Sequence, residues 1–331
     1  MSRKSGIERV GVVNDAHSKA PGKSHRRGIT MLQLGDMFPD EETAQDWFES
    51  KMWPDGRKCP RCNGERTVES SHAKMPYWCS DCRKYFSVRT GTLLETSKVP
   101  LRKWAWAIYL HLTSLKGVSS MKLHRDIGVT QKTAWFMLQR IREAFDDNDD
   151  PPFGGAVEVD EAYFGGKESN KHEWKRTKAG RGTVGKTAVV GAKDRETGKV
   201  KARVVQSTDR ETLRLFVEDS VEDGATLYTD GATAYDNIAD LLNGIRHEAV
   251  NHSVGEYVRG QAHTNAVESF WSMLKRGFHG TYHRISPKHL HRYVAEFAGR
   301  QGVRDMDTVD QMVYLVRGMS GKRLRYRDLI A

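Results

Sequence analysis

The stretch VEVDEAYF (157–164) decides the fold. Polar and apolar residues alternate along it, which is the period of a strand with one buried face. Val157 and Val159 point one way, and Glu158 and Asp160 the other. Toward the C-terminus, TAVVGAKD (187–194) and KARVVQS (201–207) alternate in the same manner. RETLRLFVEDSV (210–221) carries a helical period, ATLYTDG (225–231) and RHEAVNHS (246–253) read as strands, and NAVESFWSMLKRG (265–277) is a helix stopped by glycine. Three strands, a helix, a strand, a helical turn, a strand and closing helices predict a mixed α/β domain with a five-stranded sheet over residues 151–300.

Toward the N-terminus the pattern changes. An acidic stretch, Asp146 to Asp150, runs into Pro151-Pro152, a combination that ends helices and marks a domain boundary. Before it, VSSMKLHRDIGVTQKTAWFMLQRIREAF (118–145) has the layout of a helix-turn-helix. Ser119 or Ser120 caps the first helix, Gly128 sits in the turn and Thr130 caps the second helix. Ala134, Met137, Leu138 and Ile141 pack inward, while Gln131, Lys132 and Thr133 stand where this motif reads base edges. An ordinary helical bundle has a similar pattern. With the amphipathic helix of 101–115, these helices make an all-α unit over 99–150.

The chain has four cysteines, in two C-x-x-C pairs, Cys59/Cys62 and Cys79/Cys82, separated by 16 residues. Disulfide proteins scatter their cysteines over the fold they staple, so this clustering predicts a structural Zn²⁺ site with four thiolate ligands. Trp78, Tyr85 and Phe86 are expected to form its small core. Lys58, Arg61, Arg66, Arg83, Lys84 and Arg89 surround it, so the ribbon is a DNA contact, a folding staple or a docking module. A helix that buries its aromatics precedes it within residues 31–98. Residues 1–30 are expected to form a basic flexible arm, and residues 301–331 a helical tail that is basic from Gly321 on.

Lys plus Arg number 53 against 43 Asp plus Glu, a net charge of +10 over 331 residues. That surplus points to a polyanion as partner. The chain lacks both the run of roughly 18 apolar residues that a membrane span needs and the apolar core of a signal peptide. A cytoplasmic, nucleoid-associated protein is expected. Residues 167–186 hold seven Lys or Arg against two Glu, between the first two strands of the α/β domain, and suit either a DNA-contacting loop or a solvated hairpin.

Three acids stand out by context. Asp160 lies within a strand and Asp230 ends one, although strands are poor in Asp. Glu268 lies on a two-faced helix. Val267, Phe270, Trp271 and Leu274 make its buried stripe, and Asn265, Glu268, Ser272 and Lys275 share another face. Such acids can converge on divalent ions for phosphoryl transfer. Glu158, Asp194, Asp209 and Asp236 read as ordinary charges, turns or caps. The run from Lys275 and Arg276 to Arg284 interleaves basic and aromatic residues, which suits gripped phosphates and stacked bases.

CPRC…CSDC, VDEAYFGGKE, LYTDGATAY and HTNAVESFWSMLKRGFHGTYHRIS together resemble the bacterial insertion-sequence transposases of the ISXO-like kind, over roughly residues 30 to 300. The resemblance implies a ribonuclease H-like domain whose acidic triad holds two Mg²⁺, for which Mn²⁺ substitutes. It also implies binding of double-stranded DNA at terminal inverted repeats, cleavage to free 3′-hydroxyls, and joining to target DNA by an oligomer. Carried over, the acids are Asp160, Asp230 and, one helical turn apart, either Glu268 or Asn265; a carboxylate suits a hard cation better than an amide. Lys275 corresponds to the family's downstream lysine. The alternatives are a non-catalytic DNA-binding regulator derived from a transposase and a nuclease without strand transfer.

Overall fold

The protein is described by a computed structural model covering residues 27–145, 151–166, 172–176, 182–242, 244–250 and 263–331. The basic arm up to residue 26, the acidic stretch 146–150, residues 251–253 of the last expected strand and much of the basic stretch 167–186 lie outside the described residues.

The N-terminal part begins with two helices, α1 (Met31–Met37) and α2 (Glu41–Met52), where the sequence predicts one. Pro39 cannot continue α1, and the Asp40 side chain restarts the chain by accepting the Thr43 N–H at 2.8 Å. The ribbon follows as an antiparallel sheet of β1 (Thr67–Glu69), β2 (Tyr77–Cys79) and β3 (Lys84–Phe86). Its inner core differs from the expected one. Alternation puts Tyr77 opposite Phe86 on the inner face, where Trp53 joins them, while Trp78 and Tyr85 pair with each other on the outer face.

Then come α3 (Leu101–Thr113), α4 (Ser120–Ile127) and α5 (Gln131–Glu143). The Ser119 hydroxyl caps α4 at Lys122 N and the Thr130 hydroxyl caps α5 at Thr133 N. Gly128, between them, turns at φ +61°, the left-handed conformation that favours glycine. Ala134, Met137, Leu138 and Ile141 are buried, as the pattern requires.

The second part is a five-stranded sheet of β4 (Ala156–Phe164), β5 (Thr187–Asp194), β6 (Val200–Val205), β7 (Thr226–Asp230) and β8 (Arg246–Val250), in the order β6-β5-β4-β7-β8. The first three strands form an antiparallel meander, and β7 and β8 run parallel to β4. The crossover helix α6 (Arg210–Ser220) covers one face through Leu213, Phe216 and Val217, packed on Val157 and Val159. A short helix, α7 (Ile238–Leu241), lies between β7 and β8. On the other face α8 (Asn265–Gly277) and α9 (Pro287–Gly302) pack on Ala162, Phe164 and Val189. This is the ribonuclease H-like arrangement, with the strand bearing Asp160 at its centre.

The chain ends in α10 (Thr308–Gly318) and α11 (Tyr326–Ile330). Both return to the N-terminal helices: Met312, Leu315, Val316, Leu324 and Leu329 share one core with α1 to α5. Between this helical core and the sheet stands α9. Its Glu296, fully buried, receives Arg142 Nε at 2.7 Å from α5 and Arg300 Nη2 at 2.9 Å from its own next turn. Burial raises that carboxyl, but the pull of His111, Arg142 and Arg300 outweighs it and holds it at about 2. No described helix is long and apolar enough to cross a membrane.

Candidate active site

Strand register builds the site. Val159 pairs with Thr229, so Asp160 stands level with Asp230, where β7 ends. Beyond that level β4 continues to Phe164 without β7 beside it, which opens a step at the sheet's middle. Oxygens of Asp160, Glu161 and Asp230 gather there, all within 4.8 Å of one another. Burial, with the charges of Asp230 and Glu268 added, pushes the Asp160 carboxyl up to about 6. Burial, with Asp160 and Asp230 added, pushes Glu161 up to about 7. Oxygens on one octahedral Mg²⁺ lie at most about 4 Å apart. A hard cation therefore fits this donor set after a small closure and removes the mutual repulsion.

Glu161 is the residue that strand periodicity missed. Alternation sends it to the α6 face, away from Asp160, where the sequence offers it no partner. Its partner is Tyr235, in the single turn of 3₁₀ helix Thr233–Tyr235 after β7, whose buried hydroxyl donates to Glu161 Oε1. The Tyr235 hydroxyl is pushed well above the usual tyrosine range by burial and by Glu161, and so it keeps its proton. The adjacent acids in VDEAY were the available signal.

Glu268 lies outside this group of three. It is exposed on the first turn of α8, its Oε1 accepts the Thr264 hydroxyl at 3.2 Å, and it is near enough for its charge to act on Asp160. Asn265 is exposed at the start of the same turn. Trp271, one turn on, donates its Nε1–H to Asp160 Oδ2 at 3.1 Å. Its ring lies over Gly191, Asp160's register partner on β5, where a Cβ would stand 2.8 Å from the ring carbons. Glycine is what lets the indole come this close.

Glu158 proves more than an ordinary charge. Fully buried, it accepts the backbone N–H of Ala266 at 2.8 Å and of Val267 at 2.9 Å. Thr264 makes no side-chain cap, so this strand carboxylate satisfies the start of α8 and bolts the helix to β4. Arg195 Nε binds Glu158 at 2.7 Å, and Arg195 Nη2 holds the His263 carbonyl, also at 2.7 Å.

Beyond α8 the basic and aromatic residues separate. Lys275, Arg276 and Arg284 are exposed, but Phe278 is buried beside Phe164 and Tyr282 hydrogen-bonds Glu296 at 3.2 Å. These two aromatics serve the core and are not available for base stacking, because the π-helical turn Phe278–Tyr282 folds them inward.

The four thiols converge as expected. Cys59 Sγ lies 3.6 Å from Cys82 Sγ, and Cys62 Sγ 3.6 Å from Cys79 Sγ. A tetrahedron with Zn–S bonds of ~2.3 Å has edges of about 3.8 Å, so the cluster fits zinc. Asn63 and Arg83, each following a C-x-x-C pair, adopt φ of +59° and +54°, which turns both pairs toward one point. In the helix-turn-helix, Gln131 and Lys132 are exposed and Thr133 is half-buried at the start of α5, whereas Gln139, Arg140 and Arg142 further along are buried.

Comparisons with known proteins agree with this organisation. A family model described as an ISXO2-like transposase domain matches residues 152–301, and one described as a transposase zinc-ribbon domain matches residues 39–85. An uncharacterized protein in transposable element ISH50 of Halobacterium salinarum is 32% identical over 276 residues, which are 80% of this chain and 92% of that protein. A solved chain from a simian T-cell lymphotropic virus intasome, in complex with a PP2A regulatory subunit, is 14% identical over 57% of this chain at a TM-score of 0.28. It is matched over 66% of its own length, just under two thirds. By its two matched domains and its ISH50 relative, the chain belongs to the ISXO2-like transposase family.

Proposed function

We propose that this transposase binds the terminal inverted repeats of its insertion sequence, cleaves the ends, and joins the freed 3′-hydroxyls to target DNA. The observation that carries the reading is the convergence of Asp160, Glu161 and Asp230 at the step beside β7, with Glu268 on the facing helix. Asp160 and Asp230 would hold the divalent metal, Glu268 or Asn265 would complete the set, and Glu161 would stand by as a further carboxylate. Mg²⁺ held by these residues, or Mn²⁺ in its place, would supply the charge that activates an attacking oxygen and stabilises a leaving one. Trp271 aims Asp160, Tyr235 aims Glu161, and Glu158 fixes the helix that presents Glu268. Lys275, Arg276 and Arg284 neutralise phosphates near the reacting strand.

Gln131, Lys132 and Thr133 read the repeat from the start of α5. Cys59, Cys62, Cys79 and Cys82 hold a structural Zn²⁺ that keeps the ribbon folded. Two element ends must meet, so the working form is a dimer or larger assembly on DNA in the cytoplasm. The test is a cleavage and joining assay on duplexes carrying the DNA ends that flank the reading frame. Metal-dependent nicking and joined products are expected from the parent and not from Asp160→Ala. Tight end binding with no chemistry in the parent would replace this reading with that of a DNA-binding regulator.

A further inference from the structure

The reading face of α5 is not bare beyond its first turn. Tyr326 of α11 packs edge-on against Trp135 and Phe136, with ring centroids 6.3 and 5.6 Å away, and the Lys132 ammonium sits 4.5 Å from its ring centre. His289 of α9 also meets Trp135, with ring centroids 5.6 Å apart. The C-terminal segment thus forms one wall of the surface on which Gln131 and Lys132 stand.

Two properties of that wall decide what it does. It is built into the fold: Leu324 and Leu329 are buried in the helical core, and Arg140 binds the Leu324 carbonyl through Nε at 3.3 Å and Nη2 at 3.2 Å. A displaceable lid would not be anchored by a buried guanidinium and two core leucines. The wall is also basic. Arg323, Arg325 and Arg327 are exposed, the Arg327 side chain 74% so, against one acid, Asp328, which Arg325 engages at 2.8 Å and Arg327 Nε only approaches at 3.9 Å. A segment that masks a DNA-reading helix would carry negative charge in place of the phosphates, whereas this one adds positive charge beside Lys132.

We infer that the C-terminal segment 323–327 is part of the DNA interface, with Arg323 and Arg327 gripping backbone phosphates beside the groove that α5 enters. The inference rests on the reading of α4 and α5 as a DNA-binding helix-turn-helix. Such contacts add affinity without sequence preference, because phosphates are the same at every base pair.

The test is equilibrium binding of the full chain to a duplex of the element end and to a random duplex, over a range of salt. Log K falls as log salt rises, and each phosphate contact steepens that fall by about 0.9. The double variant Arg323→Gln/Arg327→Gln is expected to make that fall shallower by about 1.8 on both duplexes, leaving the preference for the element end unchanged. Arg323→Lys/Arg327→Lys is expected to restore the slope, which a merely structural role would not require. An unchanged slope in the Gln variant overturns the inference, and tighter binding overturns it in favour of a masking segment. Gln131→Ala reports separately on the underlying reading: lost preference for the element end supports it, and preserved preference refutes it, whatever the tail variants do.

Discussion

Replacing Glu158 with alanine removes a carboxylate that is fully buried and accepts Arg195 Nε and the backbone N–H groups of Ala266 and Val267, with His263 Nδ1 a further 3.2 Å neighbour. Breaking a buried ion pair from one side costs about 3–5 kcal/mol. The Arg195 side chain keeps 16% of its exposure and can partly recover water, which favours the lower end of that range. The two orphaned N–H groups at the start of α8 add a lost cap, about 0.5–2 kcal/mol. The sum is about 3–5 kcal/mol, which for a domain of this size lowers the melting temperature by roughly 6–20 °C. Glu158→Gln keeps the shape and one acceptor oxygen but not the charge, and should lose only about 1–2 kcal/mol. The assay is thermal melting of the full chain with and without Mn²⁺. Because Glu268 lies one turn into the loosened helix, Glu158→Ala should also lose most of the melting-temperature rise that Mn²⁺ gives the parent. A Glu158→Ala protein that melts within about 2 °C of the parent would refute the claim that Glu158 fixes α8.

Further outcomes follow from neighbouring features. Gly191→Ala places a Cβ 2.8 Å from the Trp271 ring and forces the indole off Asp160, so it should cost about 1–3 kcal/mol and lower joining activity, both measurable on the purified protein. The folded-state pKa of Asp160 and of Glu161 is raised, so their unfavourable effect is absent below the ordinary carboxylate range, grows from that range up to about 6 and 7, and is fully present above. Glu161→Gln should therefore melt above the metal-free parent at pH 8 and level with it near pH 4; equal melting at both pH values would count against the clustered-acid account. Atomic absorption should find zinc bound stoichiometrically, and Cys59→Ser should lose it together with the ribbon's order, since Tyr77, Phe86 and Trp53 are too small a core to fold without it.

Where local periodicity sets structure, the sequence was readable. The five strands and the helices of 210–220 and 265–277 are found where their hydrophobic patterns put them: each helix has one face on a core, and the central strands β4 and β5 send alternate residues into the cores on the sheet's two sides. The caps at Ser119 and Thr130 and the turn at Gly128 are equally local. What lay beyond reach depends on contacts between residues far apart in the chain. Glu158 looked like an ordinary charge because its donors lie 108 and 109 residues away. Glu161 looked outward-facing because Tyr235, 74 residues on, is not visible from the strand pattern. Phe278 and Tyr282 looked available to bases because a π-helical turn leaves no periodic mark. The short helix expected before the ribbon, with its start near Asp40 or Glu41, is α2; what was not read is the separate seven-residue helix α1 before Pro39, too short to show a helical period.

The central claim is that carboxylate-held metal cuts one strand at the element end and leaves a hydroxyl for joining. The direct measurement is the chemistry of the nick on an end-labelled duplex, in Mg²⁺ or Mn²⁺, for the parent, Asp160→Ala and Asp230→Ala. The account predicts a metal-dependent nick that leaves a 3′-hydroxyl extendable by a polymerase, made by the parent and by neither variant. A nick ending in a 3′-phosphate, or one made equally by Asp160→Ala, would contradict it.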